Sequence, residues 1–210
     1  MVLSLENKIR SDKCSKTTIG APPSNHLFIC IEGVDGVGKT VVGELLARRL
    51  NGKYYKTPPP PYDSIRRLID HNAAPLARFL FYLSSVAFAS REIESLVQKS
   101  PVVCDRYIWS TLAYHVEMDP NMPFLEVPSS ILKPHYAFLL VADEGVRNER
   151  IQRRSNCAAP FHDEVLEADQ SLLNRVEKRL ASYGLQRVDT SYDTPEATVD
   201  RILSIIDSGK

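Results

Sequence analysis

The stretch Gly33-Val34-Asp35-Gly36-Val37-Gly38-Lys39-Thr40 matches the pattern G-x-x-x-x-G-K-[S/T] at every fixed position. Residues 26–31, which precede it, form a short apolar run that favours a buried strand. In the segment that follows, apolar residues recur at helical spacing up to Leu50. A strand, a glycine-rich turn and a helix in this order are the context in which the pattern binds nucleotide phosphates. The sequence therefore predicts a phosphate-binding loop, or P-loop, at residues 33–40.

Each residue type in this loop has a physical task. The glycines permit positive φ angles, so that backbone N–H groups can close around phosphate oxygens. A helix that begins at Gly38 adds the positive end of its dipole. Lys39 would place a charge on the β- and γ-phosphates of ATP, and Thr40 would offer a hydroxyl to Mg²⁺. We therefore expect the whole loop to bind ATP and Lys39 to act in catalysis.

A second group of informative residues is Asp105-Arg106-Tyr107, which follows the apolar run at residues 102–104. An acid at the end of a buried strand beside a P-loop can bind Mg²⁺ directly or through water, so Asp105 joins Thr40 as a candidate metal ligand. Arg106 would then point into the cleft and grip a phosphate through two parallel hydrogen bonds. The alternative is an ordinary surface Asp–Arg pair after a strand.

Strand-like and helix-like segments alternate along the chain. Predicted strands cover residues 26–31, 54–55, 101–105, 136–141 and 185–190, and the longest predicted helices cover residues 39–50, 75–98 and 163–183. A last helix is expected to begin at Pro195, with Thr194 as its cap. This alternation predicts an α/β fold with a mostly parallel sheet and helices on both faces, the three-layer P-loop NTPase arrangement. Residues 26–210 contain no repeat or linker and are expected to form one domain.

The overall composition is that of a globular domain, with 210 residues of which 43% are hydrophobic and 25% charged. Because 26 basic residues balance 26 acidic ones, we expect no nucleic-acid partner. No apolar stretch is long enough to span a membrane, so no membrane partner is expected either. Cys30 and Cys104 lie in apolar runs, which favours buried free thiols and a cytoplasmic location.

Residues 1–25 differ from the rest of the chain because they are polar, lack periodicity and include several basic residues. They contain no secretory signal, and we expect a disordered tail. A transit peptide is the alternative, which the acidic residues Glu6 and Asp12 weaken.

The P-loop alone does not name the reaction. GTP-binding proteins need an Asn-Lys-x-Asp motif that reads guanine, and the sequence has none. Motor proteins and large ATPases need a much longer chain. A chain of 210 residues with arginines after the P-loop favours a small kinase, which transfers the γ-phosphoryl group of ATP to a small acceptor.

Two motifs make the sequence resemble the thymidylate kinase family. Residues 28–40, FICIEGVDGVGKT, are similar to its opening pattern, a strand followed by E-G-x-D-G-x-G-K-[S/T]. Residues 105–114, DRYIWSTLAY, are similar to its D-R-Y-x-x-S-x-x-A-Y signature, and the resemblance covers about residues 26–206. It implies a five-stranded parallel sheet, a mobile lid at about residues 153–163 and a homodimer built on helices. It also implies transfer from ATP–Mg²⁺ to a nucleoside monophosphate.

The resemblance assigns roles by position. Asp35 would contact the sugar or phosphate of the acceptor, and Arg106 would bind the acceptor phosphate and the group in transfer. Tyr114 would pack against the sugar and favour deoxyribose, and Phe81 would stack on the base. Tyr107 lies in the same signature and is counted with the substrate-binding residues.

The resemblance also implies a catalytic arginine in the lid. Family members without an arginine in the P-loop supply one from the lid, and this P-loop has none. Arg153 or Arg154 should therefore neutralise charge on the transferring phosphoryl group. The alternative for each is an ordinary solvated helix residue.

The acceptor side departs from the family pattern at two places. After the second strand, many relatives have Arg followed by Pro-Gly-Gly or Pro-x-Arg, whereas residues 56–61 read KTPPPP. Four residues beyond the stacking aromatic, the family has an arginine that bonds the thymine carbonyl, and this chain has Ser85. We expect a dTMP-like acceptor; a modified or non-thymine nucleotide, and an ATP-binding module without turnover, are the alternatives. A nucleoside acceptor is disfavoured because residues 56–61 contain no carboxylate that could act as a base.

Overall fold

A computed structural model describes residues 26–122, 128–155 and 169–209 of the chain. Within these ranges five strands form one sheet in the order β2-β3-β1-β4-β5, and every neighbouring pair is parallel. The strands are β1 (Phe28–Glu32), β2 (Lys53–Lys56), β3 (Val102–Asp105), β4 (Tyr136–Val141) and β5 (Gln186–Asp189). The expected five-stranded parallel sheet is therefore confirmed.

Helices cover both faces of this sheet. They are α1 (Lys39–Arg49), α2 (Tyr62–Asn72), α3 (Pro75–Val97), α4 (Ile108–Met118), α5 (Glu144–Ser155), α6 (Gln170–Ser182) and α7 (Pro195–Ser208). Ile29 and Ile31 of β1 pack into an apolar cluster with α1, α6 and α7. Phe28 and Cys30 pack into a second cluster with α3 and α4. A strand buried on both faces is typical of a parallel sheet between two helical layers, so the three-layer fold is also confirmed.

The central strand β1 positions the candidate site. The strand order reverses there, with β3 and β2 on one side and β4 and β5 on the other. In open α/β sheets, ligands bind in the crevice outside the carboxyl ends of the strands at such a point. Ile31 and Asp105 are partners in the register of β1 and β3, so the segments that follow these strands leave the sheet side by side. The P-loop and Arg106 thus meet at one edge of the sheet.

The helix boundaries agree with the sequence at the last helix and differ at α6. Thr194 caps α7 as predicted, since its hydroxyl oxygen accepts from the backbone N–H of Ala197 at 3.2 Å. The prediction of one helix over residues 163–183 is wrong, because Asp169 is not helical. Its carboxylate accepts from the backbone N–H of Leu172 at 2.9 Å and begins α6 there. A side-chain cap satisfies an N–H group that a continuous helix would have bonded internally.

Several expectations fall on residues outside the described ranges: the tail at residues 1–25 and most of the lid at about residues 153–163. In the part of the chain that is described, no helix is long and apolar enough to cross a membrane. Cys30 and Cys104 are buried free thiols, as predicted. The cytoplasmic location stays a prediction.

Gly52 lies between α1 and β2, where two backbones touch. A Cβ atom at this residue would lie 2.4 Å from the carbonyl oxygen of Pro101, which accepts from the backbone N–H of Lys53 at 2.7 Å. We predict that Gly52→Ala lowers the free energy of unfolding by about 1–3 kcal/mol, because the added methyl group must separate these two segments. Urea unfolding measures the change.

Gly145→Ala in α5 is the matched control, since nothing lies within 4 Å of a Cβ atom at that position. This control should be neutral or should stabilise the protein by up to about 1 kcal/mol. Equal stabilities of the two variants would contradict the close approach at Gly52.

Candidate active site

Three glycines of the P-loop have positive φ angles: Gly33 at 148°, Gly36 at 83° and Gly38 at 92°. At Gly36 a side chain is excluded, because a Cβ atom would lie 2.8 Å from the carbonyl oxygen of Arg147. α1 begins at Lys39, and no side chain caps its N-terminus. Its first backbone N–H groups can therefore bind an anion, which is the arrangement expected of a phosphate cradle.

Lys39 is buried within this loop. Its Nζ donates to the carbonyl oxygen of Val34 at 2.7 Å and lies 3.8 Å from Asp35 Oδ1. Burial lowers the pKa of Lys39 to about 8, because desolvation disfavours the charged amine. A nucleotide phosphate in the loop would add negative charge and so favour the protonated form.

Arg106 connects the end of β3 to the P-loop. Its backbone lies in the left-handed region at φ 65°, which is uncommon for a residue with a side chain. Its guanidinium donates to Asp35 Oδ1 at 2.5 Å and to the carbonyl oxygen of Gly33 at 3.1 Å, and its Cζ lies 5.3 Å from the centre of the Tyr114 ring. The Tyr114 hydroxyl donates to Asp35 Oδ2 at 3.2 Å. The structure thus brings together three of the predicted substrate-binding residues.

Asp105 and Thr40, the predicted metal ligands, also lie together. Asp105 Oδ2 accepts from the Thr40 hydroxyl at 2.8 Å and from the Tyr54 hydroxyl at 2.9 Å. Asp105 Oδ1 is buried and has no hydrogen-bond partner among the described residues. Carboxylate and hydroxyl oxygens beside a phosphate cradle are the ligands that Mg²⁺ prefers, so these residues fit that ion. Sequence interpretation missed Tyr54, which was assigned only to a strand; burial raises the pKa of its hydroxyl.

The last two predicted substrate residues lie in different surroundings. Phe81 is half-buried on α3, with its ring centre 5.5 Å from those of Tyr62 and Tyr82. Tyr107 is fully buried and packs edge-on against Phe28 at 5.4 Å. The structure thus places Tyr107 in the core, and its role in substrate binding stays a prediction. Arg106 and Tyr107 are neighbours in sequence, but the left-handed turn at Arg106 sends their side chains to different places.

The two predicted lid arginines are described only in part. Arg153 is exposed and pairs with Glu149 at 2.6 Å, and the side chain of Arg154 lies outside the described residues. Arg150 reaches the P-loop instead, with a guanidinium nitrogen 3.4 Å from the carbonyl oxygen of Gly36. Arg150 lies four residues before Arg154, so a search for arginines on one helical face could have found it.

A family model described as thymidylate kinase matches residues 31–202 of the chain. The chain belongs to the thymidylate kinase family. A probable thymidylate kinase of Methanococcus maripaludis (strain C6) is 29% identical over 188 residues, which are 85% of this chain and 94% of that protein. A probable thymidylate kinase of Pyrococcus horikoshii is 26% identical over 196 residues, which are 85% of this chain and 95% of that protein.

Solved structures agree with this assignment at the level of the fold. The thymidylate kinase of Candida albicans matches with a TM-score of 0.69 and 18% identity, over 88% of this chain and 92% of that chain. A deoxyadenosine kinase of M. mycoides matches with a TM-score of 0.61 and 13% identity, over 87% of this chain and 100% of that chain. Membership in the thymidylate kinase family confirms the expected enzyme class, an ATP-dependent nucleoside monophosphate kinase.

Glu32 supports the site from the end of β1, and sequence interpretation gave it no role. It ends β1 and is 0% exposed. One carboxylate oxygen accepts from the backbone N–H groups of Tyr107 at 2.9 Å and Ser110 at 3.3 Å, and the other accepts from the Ser110 hydroxyl. α4 has no side-chain cap of its own, so Glu32 fixes its start and the position of the preceding Arg106. The available signal was an acid at the end of an apolar strand.

The variant Glu32→Gln tests this role. It replaces one acceptor oxygen by a donor, so at least one of the bonds to the start of α4 is lost or reversed. We predict that the free energy of unfolding falls by about 1–3 kcal/mol, and that kcat falls about tenfold or more because Arg106 is displaced. Unfolding curves and steady-state kinetics measure the two effects.

Glu149→Gln provides the control, because Glu149 is 59% exposed on α5. Neither stability nor kcat should change in that variant. A Glu32→Gln protein that matches the control in both measurements would contradict the assigned role of Glu32.

Proposed function

We propose that this family member transfers the γ-phosphoryl group of ATP to dTMP, with Mg²⁺ as cofactor. The observation that carries the proposal is the contact between the P-loop and the acceptor side, where Arg106 bonds Asp35 and lies against the ring of Tyr114. The names of the relatives, probable thymidylate kinases, support dTMP as the acceptor.

On the donor side, the P-loop backbone and Lys39 would hold the phosphates of ATP. Thr40 and Asp105, joined by a 2.8 Å hydrogen bond, would hold Mg²⁺. When bound, this ion would neutralise negative charge that develops on the phosphate groups during transfer. The unpartnered Oδ1 of Asp105 supports this assignment.

On the acceptor side, an oxygen of the nucleoside monophosphate forms a bond to the γ-phosphorus while the bond from that phosphorus to the β–γ bridging oxygen breaks, and ADP leaves. The attacking oxygen is already ionised near neutral pH, so the reaction needs no general base. Arg106 would hold the acceptor phosphate through parallel hydrogen bonds. Asp35 and Tyr114 would contact the sugar, and Phe81 would stack on the base.

An arginine near the P-loop would stabilise charge on the phosphoryl group in transfer. We assign this role to Arg150, because its guanidinium lies 3.4 Å from the carbonyl oxygen of Gly36. Arg153 is 78% exposed and paired with Glu149, which argues against it. The role of Arg154 stays a prediction.

A base other than thymine is the second candidate for the acceptor, and Ser85 favours it. Ser85 is 1% exposed, and its hydroxyl donates to the carbonyl oxygen of Tyr82 at 2.7 Å. It therefore cannot replace the arginine that bonds thymine in relatives. Residues 56–61 differ as well, although Thr57 supports the site by donating to the carbonyl oxygen of Arg106 at 3.0 Å.

An ADP-release assay across the nucleoside monophosphates tests the proposed reaction. We expect the highest kcat/KM with dTMP and no activity after Mg²⁺ is chelated. Lys39→Ala should lower kcat by about 100-fold or more, because a charge on the transferring group is lost, while the melting temperature stays close to that of the wild type. Arg49→Met is the control and should keep full activity. Arg49 lies in the last turn of α1, where it is exposed and pairs with Asp200.

Each other outcome has a distinct meaning. Turnover with a different base alone would select the second candidate. Tight ATP binding in isothermal titration without turnover of any acceptor would sink the kinase proposal and leave a binding module.

We also propose that the protein is a homodimer built on α2 and α3. One side of α3 is exposed and uncharged over three turns; it bears Leu76, Ala77, Leu80, Ser84, Ala87 and Phe88. On α2, Ile65 and Leu68 are 49% and 65% exposed. Apolar patches of this kind mark interaction sites. We favour a second copy of this chain as the partner that covers the patch, since a two-fold axis pairs one helix face with itself.

Leu80→Glu tests the homodimer. A charge in the middle of the α3 face would have to be desolvated in the interface, so this variant should be monomeric. Light scattering after gel filtration measures the mass. Ser204→Glu, at an exposed position on α7, should leave the dimer intact. A monomeric wild type, or a dimeric Leu80→Glu protein, would refute this interface.

A further inference from the structure

Beside Phe81, three helices enclose polar side chains that the proposed reaction does not yet use. Tyr82 on α3 donates its hydroxyl to Asp70 on α2 at 2.9 Å. The Tyr82 ring centre lies 5.1 Å from that of His115 on α4. Arg78 lies one turn before Tyr82 on α3. Arg78 and Phe81 are three residues apart on this helix, so they share one flank of it.

His115 offers a hydrogen-bond acceptor without a partner. The residue is 4% exposed, and its Nδ1 lies 2.7 Å from the carbonyl oxygen of Thr111. Because a carbonyl oxygen can only accept, Nδ1 must carry the ring proton and Nε2 must carry a lone pair. This Nε2 is buried and has no partner within the described ranges. Burial lowers the pKa of His115 to about 4, so the ring is neutral near pH 7.

Arg78 offers a donor without a partner. Its Nε is buried and bonds no atom of the described residues, and an arginine N–H group can only donate. Arg78 lies one turn before Tyr82 on α3, and the Tyr82 ring centre lies 5.1 Å from that of His115, so both side chains neighbour Tyr82. A buried polar group without a partner is destabilising, because its hydrogen bonds to water are lost and not replaced. A neighbouring donor and acceptor, both unsatisfied, therefore point to a ligand that supplies both missing bonds.

We propose that Arg78 and His115 recognise the imide edge of the acceptor base, a thymine or uracil stacked on Phe81. His115 Nε2 accepts a hydrogen bond from N3–H of the base, and Arg78 Nε–H donates to the ring carbonyl beside it. In this edge, N3–H has a carbonyl group on each side, so the donor and acceptor match in either orientation. The inference rests on the proposed function and names the groups that select its substrate.

This pair explains how the chain can bind such a base with Ser85 in place of an arginine. Ser85 lies on the same flank of α3 as Arg78, seven residues or about 10 Å further along the helix axis. An arginine at either end of this flank can reach the base that lies over Phe81. Cytosine fits the pair poorly, because its N3 carries a lone pair that would face the lone pair of His115 Nε2.

A substrate analogue probes the hydrogen bond to N3 with the protein unchanged. 3-Methyl-dTMP keeps both ring carbonyl groups and cannot donate from N3. We expect the wild-type kcat/KM to be roughly 10- to 100-fold lower for 3-methyl-dTMP, and for dCMP, than for dTMP. Equal values for dTMP and 3-methyl-dTMP would overturn the inference, and so would a preference for dCMP.

Variants then separate recognition from mere packing. His115→Ala removes the acceptor and leaves space for the methyl group, so dTMP and 3-methyl-dTMP should become equal substrates. His115→Gln, whose amide oxygen can accept, should restore the preference for dTMP. Arg78→Met should raise KM for dTMP about tenfold with KM for ATP unchanged, whereas the control Arg49→Met should change neither constant.

The remaining outcomes are distinguishable. If the two side chains only support packing, each variant will lose kcat/KM for dTMP and 3-methyl-dTMP by the same factor, and the inference is wrong. A wild-type enzyme that is inactive with every nucleoside monophosphate would refute the proposed function itself.

Discussion

The hydrogen-bonded ion pair between Asp35 and Arg106 is the interaction on which the site depends. It joins the P-loop to a residue 71 positions later in the chain, and so connects the donor side to the acceptor side. The backbone around Arg106 is held just as firmly. Its N–H donates to the carbonyl oxygen of Ile31 at 2.9 Å, and Glu32 binds the N–H of the next residue at 2.9 Å. A guanidinium fixed in this way is preorganised, so little reorganisation is needed when charge develops during transfer.

Buried groups of both charges surround this ion pair. Three buried acids, Glu32, Asp35 and Asp105, lie near Lys39 and Arg106. Buried charges are tolerated when each is paired or hydrogen-bonded. Glu32 is satisfied by neutral N–H and O–H donors and Asp35 by a guanidinium, whereas Asp105 keeps one unpartnered oxygen. The site therefore presents cationic groups and one unpartnered carboxylate oxygen, as the proposed binding of phosphate and Mg²⁺ requires.

The two halves of the site are built in different ways. The donor half uses consecutive residues of one loop, whose glycines allow the required backbone. We assign the acceptor half to α2, α3 and α4, where Asp70, Phe81 and His115 each contact Tyr82 in the packed structure. A loop motif tolerates little variation in residue type because its backbone contacts the ligand. A pocket between helices can place the same hydrogen-bond donor at another position along a helix, as we propose for Arg78 in place of an arginine at residue 85.

The sequence by itself determined the P-loop, the parallel sheet and the positions of Asp105 and Arg106. Each follows from local spacing, or from the rule that parallel strands bring their carboxyl ends to one edge. Only the tertiary structure supplied the contacts of Glu32, Arg150 and His115 on which their proposed roles rest, and it placed Tyr107 in the core. Arg150, for example, contacts a loop residue 114 positions earlier in the chain. No periodicity in the sequence predicts a contact between residues so far apart. Local patterns encode backbone geometry and burial, whereas the direction of a polar side chain depends on which distant groups satisfy its hydrogen bonds.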